Sequence, residues 1–82
     1  MIPKRKRVVV VKTLNLCERN QEYVIKSLHG NCQTNLFLEN LGLLPNETIV
    51  IITELGSNYV ISVNGVRLGI DRSIAKLIEV QT

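Results

Sequence analysis

The sequence has no tryptophan, one phenylalanine and two tyrosines in 82 residues, so large aromatic rings cannot dominate its interior. Val, Ile and Leu must fill the core instead, with Ala75 the sole alanine. A core of branched aliphatics favours strands over helices, because these side chains pack well on a pleated surface. Hydrophobic residues still make up 45% of the chain, an ordinary share for one small globular domain and too high for general disorder.

Long apolar runs are missing as well. Val8-Val9-Val10-Val11 is four residues long. A signal-peptide core needs about 7–15 and a membrane-spanning helix about 20. The expectation is a cytoplasmic protein without membrane insertion, whose two cysteines stay reduced.

Basic charge is scarce outside the front of the chain. Lys4, Arg5, Lys6, Arg7 and Lys12 give the first twelve residues a charge of +5. The remaining seventy carry five basic and seven acidic side chains, or −2. A basic arm therefore precedes a mildly acidic body. Such an arm suits nucleic acid or anionic lipid, and its plain alternative is a solvated terminus. Nucleic-acid binding gains little from the body, because only Tyr23 and Tyr59 fall on expected strands and could stack on bases.

Catalytic patterns are also wanting. His29 is the single histidine, without a Ser or Cys nucleophile and an orienting carboxylate near it in sequence. Phosphate-binding and dinucleotide-binding glycine turns are absent. The reading is a non-enzymatic protein with no cofactor. Cys17, His29 and Cys32 form the one candidate metal set, with an H-x2-C spacing and Cys17 one strand away. Structural zinc sites normally present two paired-ligand motifs, and this chain offers one unpaired set.

What is present is punctuation. Glu18–Gln21 reads as a polar turn and Glu22–His29 as a strand, with Tyr23, Ile25 and Ser27 on one face and Val24, Lys26 and Leu28 on the other. Thr13–Cys17 fits either a strand extension or one helical turn. Residues 30–35 read as a loop in which Asn31 or Thr34 caps a helix over Leu36–Leu41. Gly42 and Pro45 stop that helix, the first by accepting left-handed backbone and the second by lacking an N–H. Thr48–Glu54 is the strongest strand, turning at Leu55–Asn58 into Tyr59–Val63. Asn64-Gly65 is a type I′ hairpin signal leading to Val66–Ile70. Asp71 caps a turn over Arg72–Ala75, and Lys76–Val80 closes as the final strand. Five or six short strands with one or two short helices make a mainly β, small, partly open barrel.

Read from Leu14 to Val80, the sequence resembles the FeoA family, small cytoplasmic SH3-like domains associated with the ferrous-iron transporter FeoB. The resemblance runs through Leu14-Asn15-Leu16, Tyr23-Val24-Ile25, Leu38-Glu39-Asn40-Leu41-Gly42-Leu43, Pro45 and Thr48-Ile49-Val50-Ile51. It continues with Val63-Asn64-Gly65-Val66-Arg67-Leu68-Gly69-Ile70 and Ala75-Lys76-Leu77-Ile78-Glu79-Val80. Asn20 and Asn46 stand where the family usually has turn glycines, and Phe37 where it usually has Arg. The resemblance implies an SH3-like barrel over residues 13–82 behind a basic arm and lead-in strand at 1–12. It implies an accessory or regulatory role in ferrous iron transport, through contact with FeoB. The helix residues Leu36, Phe37 and Asn40 are the candidate contact surface, with self-association as a second use. Three consecutive apolar residues on a short helix cannot all be buried, which leaves Phe37 either a lid on the core or a contact.

A second resemblance, to swapped-hairpin DNA-binding proteins of the AbrB type, rests on Leu41-Gly42-Leu43-Leu44-Pro45-Asn46-Glu47-Thr48-Ile49. Its basic first strand would be Lys4–Lys12. About thirty residues separate the two pieces here, where that fold needs a short loop and helix.

Overall fold

The computed structural model describes residues 9–82; the basic arm Lys4–Arg7 lies outside the described residues. Six strands and three short helical pieces make up the fold, the strands being β1 Val11–Thr13, β2 Glu22–Leu28, β3 Thr48–Leu55, β4 Asn58–Val63, β5 Val66–Asp71 and β6 Ile78–Gln81. A 3-10 turn, Leu14–Leu16, follows β1; helix α1, Cys32–Asn40, lies between β2 and β3; helix α2, Arg72–Ala75, lies between β5 and β6. All strand pairings are antiparallel, in the order β1-β6-β2-β3-β4-β5.

Period-2 alternation decides which side chains fill the interior. Tyr23 and Ile25 of β2, Ile49 and Ile51 of β3, Tyr59, Ile61 and Val63 of β4, and Ile78 and Val80 of β6 are all buried. Two register shifts, between Ile25 and Ser27 against β6 and between Ile51 and Thr53 against β4, bend the strands around this core. The first shift corrects the facing expected for β2. Ile25 pairs with Val80 on the inside, but Ser27 pairs with Glu79 outside and Leu28 packs against the core. The extra residue, Lys26, reverses the alternation.

The joints use left-handed backbone where small or amide side chains tolerate it. Asn20, Asn46 and Asn64 have φ of 62°, 74° and 53°, and Gly42 closes α1 at 98°. Asn64 and Gly65 together supply the two positive φ values of a type I′ turn. The amide of Asn46 donates to the Ile25 carbonyl at 2.8 Å, and the Glu47 carbonyl accepts from Ile25 N–H at 2.9 Å. The Pro45 turn is thereby tied to β2.

Three expectations shift. The helix begins at Cys32, four residues before Leu36, because the Asn31 side chain accepts from Thr34 N–H at 2.8 Å. Asn35 then accepts from Gly30 N–H at 2.9 Å and donates to the Leu28 carbonyl at 3.4 Å, fastening the polar first turn to β2. Thr13–Cys17 resolves into the lead-in strand plus a 3-10 turn, with Leu14 fully buried. The final strand starts at Ile78, since Lys76 and Leu77 donate to Arg72 and Ile74 carbonyls and so form the turn that closes α2.

Candidate interaction surface

A helix nine residues long must dock to persist. In α1 the docking side chain is Leu38, 1% exposed, with Leu43 buried just beyond the Gly42 stop. The opposite side carries Leu36 and Phe37, each 60% exposed, and Asn40, also exposed. Leu41, whose N–H donates to the Phe37 carbonyl, adds a partly exposed apolar group one turn on, and Leu44 another after the stop. Phe37 is therefore no lid: Leu38 occupies the inward position, and a helix turns neighbouring side chains about 100° apart. The ridge extends to Leu41 and Leu44, which the sequence did not single out. Their signal was their apolar character either side of a helix stop.

The candidate metal set is dispersed. Cys17 is half-buried and directs its thiol at the Thr13 carbonyl, 3.6 Å away, and burial pushes its pKa up. Cys32 is exposed at the first position of α1. His29 Nε2 instead lies 2.9 Å from Ser27 Oγ and 3.4 Å from Glu79 Oε1. Among the described residues no three His, Cys, Asp or Glu side chains converge as a metal site.

Ser27, His29 and Glu79 form a surface cluster that the sequence did not reveal, because the bulge at Lys26 creates it. Ser27 Oγ donates to Glu79 Oε1 at 3.0 Å. This bond first, and the His29 contact second, hold the Glu79 carboxyl below its ordinary range. Histidine and carboxylate meet through the same ring nitrogen that faces the serine, so the glutamate does not orient the imidazole from behind as a hydrolytic triad requires.

Neither tyrosine is available for stacking on bases. Tyr23 and Tyr59 are 1% and 2% exposed. The Tyr23 hydroxyl accepts from Glu18 N–H at 3.1 Å, and Lys12 Nζ sits 5.4 Å from its ring centroid. The swapped-hairpin alternative also fails on topology. Leu41–Ile49 joins a helix to a central strand, within a sheet whose six strands pair in one chain.

A curled six-stranded antiparallel sheet with a capped helix in its longest connection defines an SH3-like domain. The family profile for the FeoA domain matches residues 12–82, and the chain belongs to the FeoA family. Comparison with curated protein sequences returned no match. Among solved structures, an iron uptake regulatory protein (FeoA) is similar with a TM-score of 0.81 and 24% identity, covering 89% of this chain and 100% of its own. FeoA from Stenotrophomonas maltophilia, crystallised with zinc and described as an SH3 domain protein suggested to activate ferrous iron transport, is similar at 0.75 and 22% identity, covering 85% and 94%. ScaR with bound Cd2+ is similar at 0.78 and 25% identity; the match covers 87% of this chain but only 35% of ScaR.

Proposed function

We propose that this protein is a non-catalytic accessory factor of ferrous iron transport that acts in the cytoplasm by binding FeoB through the outer ridge of α1. One observation carries the reading: Leu36 and Phe37 stand 60% exposed on a helix that is capped, anchored and already docked by Leu38. An aromatic anchor held out by a rigid element is the usual centre of a protein contact, and single apolar patches of this kind are often functional on small monomers. Family membership supports ferrous iron transport as the setting, and FeoB is our proposed partner within it. The basic residues Lys4, Arg5, Lys6 and Arg7 would add a salt-sensitive contribution without specifying the partner.

Phe37→Asp, which removes the ring without restoring the arginine usual in the family, tests the proposal. Capture of FeoB from detergent-solubilised membranes should fall at least about tenfold, while stability stays within about 1 kcal/mol because the side chain leaves the core untouched. Urea denaturation measures the second quantity. Undiminished capture by a folded variant would remove the ridge from the contact. Deleting residues 1–7 should leave capture in place at high salt.

A further inference from the structure

We propose that β5 is a homodimerisation edge, pairing antiparallel with β5 of a second copy about a two-fold axis at Gly69. At one end of the sheet β5 has β4 as its sole strand partner among the described residues. Val63 and Val66 close the two-residue Asn64-Gly65 turn, so they form a hydrogen-bonded pair, and pairs alternate from there. Val66, Leu68 and Ile70 thus direct their backbone groups at β4. Arg67, Gly69 and Asp71 direct theirs outward, to the open edge.

Among the described residues nothing demands a glycine at position 69. Its backbone is not left-handed, and a methyl added there would meet none of their atoms within 4 Å beyond its chain neighbours. A glycine inside a strand weakens it and often marks close approach of another backbone.

The charges supply the occupant. With Gly69 opposite Gly69 of the second copy, Arg67 of each copy faces Asp71 of the other, making two symmetric ion pairs. All three residues are exposed. The described hydrogen bonds of the Asp71 side chain, from Ile74 N–H and Ser73 Oγ, both go to Oδ1, and Oδ2 has none among them. Arg67 makes no ion pair among the described residues. The register that satisfies the outward backbone groups also satisfies the charges. The opposite edge lacks this match: β1 centred on Lys12 would set two ammonium groups against each other.

Sedimentation equilibrium over protein concentrations from about 10 μM to about 1 mM tests the proposal, in the weak-association range. The wild type should dimerise, and Arg67→Glu should weaken the dimer at least about tenfold by setting a second carboxylate against Asp71. Asp71→Lys should do the same, and an equimolar mixture of the two variants should restore association, because each then offers the charge the other needs. Hydrogen exchange at the Arg67 and Gly69 amides should slow with concentration in the wild type, a readout independent of whether Asp71→Lys keeps its helix cap. A wild type that stays monomeric to about 1 mM, a dimer indifferent to Arg67→Glu, folded variants that fail to associate on mixing, or amide exchange that ignores concentration would each overturn it.

Discussion

Glu79 shows how one inserted residue makes a surface site. Without the bulge at Lys26, Ser27 would face inward and the carboxylate would lose its first hydrogen-bond donor. Its folded pKa lies below the ordinary glutamate value of 4.5, so it favours the folded state wherever the unfolded carboxylate is charged. That contribution is complete above about pH 4.5 and drains away as pH falls through the lower, folded pKa. Urea midpoints of Glu79→Gln and the wild type should therefore differ most near neutrality and converge in acid. A gap that widens in acid would show that the cluster does not favour the charged form. The cluster was illegible in sequence, since strict alternation sends Ser27 to the other face. The left-handed asparagines were legible for the opposite reason: Asn20, Asn46 and Asn64 tolerate positive φ wherever they stand.

At the scale of the element, α1 is held by its polar first turn as well as by the buried Leu38. Asn31 caps it, and Asn35 bonds back to Gly30 and Leu28. Asn31→Ala should cost about 1 kcal/mol, the usual loss for a helix N-cap. Thermal unfolding followed by circular dichroism would register it, and an unchanged midpoint would mean that Asn35 alone suffices. Because these anchors are amide side chains without hydrophobic periodicity, the sequence disclosed the helix only from Leu36 onward. Gly42 and Pro45, by contrast, marked its end clearly: a stop is written in backbone chemistry that one residue carries by itself. The same anchoring keeps Phe37 outward, so the proposed contact surface needs no rearrangement before a partner arrives. The candidacy of Leu36, Phe37 and Asn40 could be read from sequence; the exposure that decides between lid and ridge could not, because it depends on which of three adjacent apolar residues docks.

Across the whole molecule, the order of elements could be read almost throughout, since turn residues and β-branched runs alternate along the chain. Strand order was beyond reach. The pairing of β1 with β6, and of β6 with β2, joins segments far apart in sequence that no local signal connects. Val10 and Thr82 add two hydrogen bonds to that seam, Val10 N–H to the threonine hydroxyl and Thr82 N–H to the Val10 carbonyl, both at 3.1 Å. Deleting residues 78–82 should abolish cooperative unfolding, because two core side chains and the shared partner of β1 and β2 leave together. A cooperative melt in that variant would mean that β2–β5 fold alone. The seam also has a temporal meaning. During synthesis β1 and β2 emerge early, yet the strand that belongs between them is made last of the six. Until β6 is made, the nascent chain holds two strands whose shared partner is still missing, a state open to mispairing that the stability of the finished barrel does not abolish.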